Sequence, residues 1–169
     1  AAAFRQWLQR RYGDLTELNT AWGTAFWSQR YYDWEEILPP RSVPGDNFIN
    51  PTQQLDFARF CSDELLDCYR AEAEILRARS EKPVTTNFMG FFPHVDYWRW
   101  AGEMDIVSND HYRITGLGPA GATHHQAMVA DLTRSLADGE PWLLMEHATS
   151  AVNWQPVNPA KPAGQMRRD

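Results

Sequence analysis

At 169 residues the chain can bury a real core, yet it falls short of the roughly 250 residues of a closed (β/α)₈ barrel, so length permits one domain or a piece of one. A formal net charge of −6, with no basic cluster larger than Arg10-Arg11 or Arg167-Arg168, argues against a phosphate-binding surface and hence against nucleic acid as a partner. No apolar run approaches the about 18 residues of a membrane span, and Ala1-Ala2-Ala3-Phe4-Arg5 lacks the order of a signal peptide, so a soluble, cytoplasmic chain without a membrane partner is expected.

In chain order, Phe4, Trp7, Leu8 and Arg11 have helical spacing up to Tyr12-Gly13, where Gly13 serves as a stop. A short helix follows, with Asp14 as cap, Glu17 three residues later as in a capping box, and Leu15, Leu18 and Trp22 as its apolar face before Gly23. Residues 24–50 carry Trp27, Tyr31, Tyr32, Trp34 and four turn-formers without periodicity, which predicts a long aromatic loop of the functional kind. Asn50-Pro51 opens a helix to about Arg79, with Ala58, Cys61, Leu65, Tyr69, Ala73 and Leu76 on one face. Cys61 and Cys68 stand about 10 Å apart on such a helix, too far for a disulfide, and read as small core residues in a reducing compartment.

Val84-Thr85-Thr86-Asn87-Phe88 predicts a first strand, 105–110 a second and Trp142-Leu143-Leu144-Met145-Glu146 a third. Helices are expected near 95–103 and over 119–137, the latter with Met128, Val129, Leu132 and Leu136 facing inward. The sum is α-β-α-β-α-β, an α/β chain whose connections have the length that parallel strands need.

Each strand is apolar through its middle and polar at its carboxyl end: Asn87, then Asn109, Asp110 and Tyr112, then Glu146 and His147. Parallel strands bring those ends together, and the carboxyl edge of such sheets is where ligands bind and catalysis occurs. The pattern leaves alternatives open. Glu146 could be a water-exposed strand end, Asp110 a turn cap and Tyr112 an ordinary loop aromatic. His124-His125 fits a partly solvated helix start better than a metal site. With no zinc-type Cys/His spacing, no glycine-rich phosphate loop and no nucleophilic-serine elbow, carboxylate chemistry is what remains, with no metal or cofactor expected in this chain. Trp, Tyr and Phe make up 13% of the residues; most serve cores, and those beside Asn, Asp and Glu suit the stacking of rings on sugar C–H faces.

Several ordered motifs carry a resemblance. Phe4-Arg5-Gln6-Trp7-Leu8, Tyr12-Gly13 with Leu18-Asn19, the run Ala21 to Ser28, Leu55-Asp56-Phe57, the run Pro83 to Gly90, the run Asp105 to Asp110 with Tyr112, and Leu143 to Glu146 with Val152-Asn153-Trp154 together resemble glycoside hydrolase family 42 β-galactosidases. The resemblance covers nearly all of the chain. It implies that residues 1–169 are a fragment of a catalytic (β/α)₈ TIM barrel, from the helices after strand four through strand seven and its loop.

It also implies a retaining hydrolase of terminal β-D-galactosides. In that reading Glu146 is the nucleophile, Tyr112 orients it, Trp27 and Trp154 wall the galactose subsite, and Asn87 and Asp110 contact substrate. The family's acid/base Glu lies in an Asn-Glu pair that this chain lacks, and the metal-binding cysteines of some members lie in the same absent region. The chain therefore looks truncated at both ends, inactive by itself, and part of an enzyme that the resemblance implies to be a homotrimer. A retaining α-L-arabinopyranosidase and a non-catalytic carbohydrate-binding module are the competing readings.

Overall fold

The computed structural model describes residues 1–41, 49–148 and 160–168, with the side chains of Trp27, Thr115 and Arg168 outside the description. The chain divides into two compact units, Ala1–Cys68 and Tyr69–Asp169.

The first unit is helical. Helix α1 (Ala2–Tyr12) buries Phe4, Trp7 and Leu8, and α2 (Leu15–Trp22) buries Leu18, Asn19 and Trp22. Asp14 caps α2 by accepting from the amides of Thr16 and Glu17, and Gly23 ends it in the left-handed region at φ 62°, where a side chain would be strained. Helix α3 (Pro51–Arg77) starts on the Asn50 carboxamide, whose oxygen accepts from Thr52 and Gln53, with Pro51 at the first helical position. The core joins Phe4, Trp7, Leu8, Leu18, Trp22 and Ile37 to the flanking rings of Phe57 and Phe60, and Phe4 meets Phe57 edge-on at 5.1 Å.

Two polar side chains tie this unit together. Asp56 is fully buried and accepts from Tyr12 Oη at 2.5 Å and Trp22 Nε1 at 2.9 Å, with Arg59 at 3.2 Å and Arg11 at 3.5 Å. Asn19 donates to the carbonyls of Leu15 and Tyr31 and accepts from the Tyr31 amide and the Thr24 hydroxyl. The residues 24–41 between α2 and α3 are thus pinned at Thr24 and Tyr31, with short 3₁₀ turns at Phe26–Ser28 and Trp34–Glu36. A capping box forms within this stretch, between Asp33 and Glu36.

The second unit holds three strands, β1 (Asn87–Phe88), β2 (Ser108–His111) and β3 (Leu143–His147), in the order β1-β2-β3 and parallel throughout. Helices α4 (Tyr97–Ala101) and α5 (Gly118–Leu136) lie between them in sequence, and α6 (Gln165–Arg168) follows. The parallel α/β order agrees with the sequence pattern. The strand bounds shift, however, toward the polar ends. The segment before β1 is held by one backbone bond, from the Asp105 amide to the Val84 carbonyl at 3.0 Å, and by side chains: the Asp105 carboxylate accepts from the Val84 amide at 2.7 Å, and Thr85 Oγ1 donates to the Ile106 carbonyl at 2.5 Å. Phe88, Ala101, Val107 and Leu136 form the core here, with Leu132 and Trp142 packed against it.

Three expectations are corrected. On α3 the residues Ala58, Leu65 and Leu76 are exposed, the two leucines by 52% each, whereas the buried positions include Gln53, Asp56, Ser62, Leu66, Tyr69 and Ala73. On α5 Met128 faces solvent, while Gln126 and Thr133 are buried beside Val129 and Leu136. Both cysteines are free, as their spacing required, but Cys68 is exposed and Cys61 only half-buried, so neither is a core residue. No helix among the described residues is long and apolar enough to cross a membrane.

Candidate active site

The carboxyl ends of the three strands open onto a cavity of about 550 Å³. Its polar lining includes Asn87 from β1, Asp110 and His111 from β2, Glu146 from β3, Tyr112 just beyond β2 and His125 from α5. The register sets Asp110 level with Glu146, and Asn87 level with Ser108, two residues earlier on β2 and on the same side of the sheet as Asp110. An irregularity between Asn109 and Asp110 shifts the β2–β3 ladder at this level, the kind of local break that re-aims a side chain.

Asn87 Nδ2 donates to Asp110 Oδ2 at 2.5 Å, and the Tyr112 hydroxyl donates to Glu146 Oε2 in a short hydrogen bond. The Tyr112 phenol is pushed up to about 12, first by donating to Glu146, then by burial and by the charges of Glu146 and Asp110. Glu146 is exposed at the cavity, as the water-exposed alternative had it, and Asp110 is the buried carboxylate. Burial raises the Asp110 carboxyl above the ordinary range, opposed by the Asn87 amide and assisted by Glu146.

Two neighbours hold this edge in place. Asn109 is fully buried, accepts from the Gly90 amide at 2.8 Å and donates to the Asp110 carbonyl at 2.8 Å, which fixes the turn leaving β1. Gly90 sits at φ 64°, and an added Cβ would only touch Val129 at an ordinary 3.4 Å, so the backbone angle and not space selects glycine. His147 Nδ1 bonds the His111 carbonyl at 2.9 Å, and its Nε2 faces the Lys161 ammonium at 3.1 Å. An ammonium can only donate, so Nε2 is the acceptor and the ring proton sits on Nδ1.

Of the residues singled out in the sequence, Asn87, Asp110, Tyr112 and Glu146 share one cavity. Trp27 falls in the Phe26–Ser28 turn, where its ring lies outside the description, and Trp154 lies outside the described residues. The sequence reading missed the apolar wall formed by Met89, Phe91, Ile114 and Val129, and the place of His125 in that wall against Phe91 at 5.3 Å between rings. A phenylalanine immediately after the strand-ending glycine, Gly90-Phe91, was the available signal. Among the described residues no group of three or more His, Cys, Asp or Glu side chains is placed to hold a metal ion.

The profile of glycoside hydrolase family 42, described as β-galactosidase, matches residues 1–169. The chain belongs to this family. Within family 42, it is 51% identical over its whole length to a β-galactosidase from Arthrobacter sp, of which it covers 24%, and 49% identical over 99% of its length to β-galactosidase BgaB from Geobacillus sp. (strain Y412MC61), again 24% of that protein. Among solved structures, the β-galactosidase from Bacillus circulans sp. alkalophilus superposes on 97% of the chain with a TM-score of 0.87 and 44% identity, the match covering 24% of that chain. A β-galactosidase from the psychrophilic Marinomonas ef1 also reaches 0.87, at 33% identity over 98% of this chain and 27% of its own. The chain thus spans about a quarter of the length of the relatives it matches.

Proposed function

We propose that residues 1–169 are part of the catalytic barrel domain of a retaining glycoside hydrolase that cleaves terminal β-D-galactosides, with β1, β2 and β3 as strands five, six and seven of a (β/α)₈ barrel. The observation that carries the reading is the Tyr112–Glu146 hydrogen bond at the carboxyl ends of adjacent parallel strands, over a cavity large enough for a sugar ring. Family membership and relatives that are all named β-galactosidase support the substrate.

In this mechanism Glu146 attacks the anomeric carbon as a carboxylate, and Tyr112 holds it at the angle of attack by occupying one of its oxygens. A second carboxyl group, about 5–5.5 Å from the first, must protonate the leaving oxygen. That acid/base residue lies in the remainder of the protein. Asn87 and Asp110 contact the sugar hydroxyls, and Trp27 and Trp154 wall the subsite by ring stacking. No cofactor takes part in this chain's chemistry, and the complete enzyme is a homotrimer.

The test uses the complete enzyme. Glu146→Ala is expected to lower kcat by about ten-thousandfold or more, the scale of deleting a covalent nucleophile. Azide should restore part of the turnover by entering the vacated space and yield a galactosyl azide of inverted configuration. A Glu146→Ala enzyme that still hydrolyses galactosides at the native rate removes the assignment, and a preference for α-L-arabinopyranosides over galactosides would replace the substrate.

A further inference from the structure

Asp110 stands where a charge is hard to hold. It is only 8% exposed; Oδ2 accepts from Asn87 Nδ2, whereas Oδ1 is buried with no hydrogen-bond partner among the described residues. Asp110 and Glu146 are register partners on neighbouring parallel strands, and both line the same cavity, so their side chains rise from adjacent positions at the carboxyl edge. Strands in a sheet run about 4.8 Å apart, so the Glu146 carboxylate stands beside Asp110 as a like charge that opposes the ionisation of Asp110.

The surroundings offer little countercharge. Asn87 on β1 is neutral, Tyr97 on α4 and Tyr112 are phenols, and Glu146 on β3 is acidic. His111 and His125 on β2 and α5 are the lining side chains able to carry positive charge, and the described lining includes no Lys or Arg.

Resting on the assignment of Glu146 as nucleophile, we propose that Asp110 is a positioning residue: the pair holds one proton, carried on Asp110 Oδ1, which donates it as a hydrogen bond to the Glu146 carboxylate. Glu146 then receives two donors, the Tyr112 phenol and the Asp110 acid, and remains the charged member of the pair. The like charge of Glu146 makes this proton harder to remove from Asp110, so it persists to pH values at which an isolated aspartate has lost its own. When that proton leaves, the donor becomes a like charge beside the nucleophile and Glu146 loses its alignment. Burial and the neighbouring carboxylate, which both push the Asp110 carboxyl up, act in the same direction.

The experiment is infrared difference spectroscopy with kinetics on the complete enzyme. A protonated-carboxyl C=O band, assigned by its shift with carbon-13 aspartate, is expected to titrate well above the ordinary Asp value of about 3.9 and to vanish in Asp110→Asn. The absence of such a band in the native enzyme overturns the proposal, and this measurement stands even if the variants fold poorly. Asp110→Asn, which keeps a donor in place, should hold kcat within about tenfold and alter the alkaline limb of the pH profile, whereas Asp110→Ala should lose about a hundredfold in kcat, the cost of a misplaced reacting group, beside any rise in KM from the lost sugar contact. An amide variant that falls as far as the alanine variant, or an alanine variant that raises KM at native kcat, assigns Asp110 to another role and rejects the proposal. Mass analysis of peptides after trapping with a 2-deoxy-2-fluorogalactoside separates the two readings. Labelled Glu146 without a protonated carboxyl overturns only the role of Asp110; unlabelled Glu146 with another residue labelled overturns the nucleophile as well.

Discussion

Tyr112 illustrates how a single hydrogen bond sets both a geometry and a pH range. Its phenol is raised to about 12, chiefly because it donates to Glu146. The folded value lies above the ordinary one, so the stability the pair contributes is complete below the unfolded value of about 10 and is lost as pH rises through about 12. Tyr112 therefore remains a donor across the neutral range, and no ionisation in that range belongs to it. Under the proposed mechanism Tyr112→Phe in the complete enzyme should lower kcat by about tenfold to a hundredfold, matching the roughly 1.5–3 kcal/mol of a hydrogen bond to a charged acceptor. The neutral part of the pH profile should keep its shape. Single-turnover rates measured against pH check both points, and an unchanged rate would make Tyr112 a wall of the cavity only. At this scale the candidate site was legible in the sequence because Asn87, Asp110, Tyr112 and Glu146 stand toward or just past the carboxyl ends of three strand segments, and parallel pairing gathers those ends at one edge.

Among the elements, the polar knots of the helical unit explain why two of the ordered motifs carry polar residues. Asn19 serves the loop after α2, and Asp56 joins α1, α2 and α3 through Tyr12, Trp22 and the arginines Arg11 and Arg59. A buried carboxylate survives only when its oxygens are so occupied, and removing it strands the buried donors it served. Asp56→Ala is therefore expected to destabilise this unit by about 3 kcal/mol, seen as a lower urea midpoint in the intrinsic fluorescence of Trp7 and Trp22. An unshifted midpoint would mean that water replaces the carboxylate at no cost. The same need for partners explains the misread face of α3, and on α5 the burial of Thr133, whose hydroxyl donates to the Val129 carbonyl. Hydropathy ranks Leu65, Leu76 and Met128 as inward and Gln53, Asp56 and Thr133 as outward, but a polar side chain that finds its partners can occupy the packed face. The Gln53 amide, for example, donates to the Leu38 carbonyl.

At the scale of the whole molecule, β1 and β3 are the edges of the three-stranded sheet. Leu143, Leu144 and Met145 on β3 are each 41–42% exposed, an arrangement that a neighbouring strand or a second copy would cover. Isolated residues 1–169 should therefore associate in a concentration-dependent way in sedimentation velocity, and Leu144→Lys should weaken that association. Under the proposed mechanism the isolated chain should also hydrolyse no galactoside, because Glu146 cannot both attack the sugar and protonate its leaving group in one step. A monomeric, active fragment would contradict both expectations.

The sequence by itself determined the order of helices and strands, the helix starts at Asp14 and Asn50, the parallel α/β class and the gathering of four polar side chains at one edge. These are properties of local spacing, of caps and of the apolar-to-polar change along each strand, and they need no knowledge of what lies opposite. Tertiary structure alone decided which carboxylate is buried, that the Tyr112 hydroxyl reaches Glu146, that Asn109 fixes the turn at Gly90, and that the packed face of α3 holds Asp56 while Leu65 faces solvent. Each of those outcomes depends on which groups from distant parts of the chain arrive as hydrogen-bond partners, and burial of a polar atom is set by that partner, which no local pattern encodes.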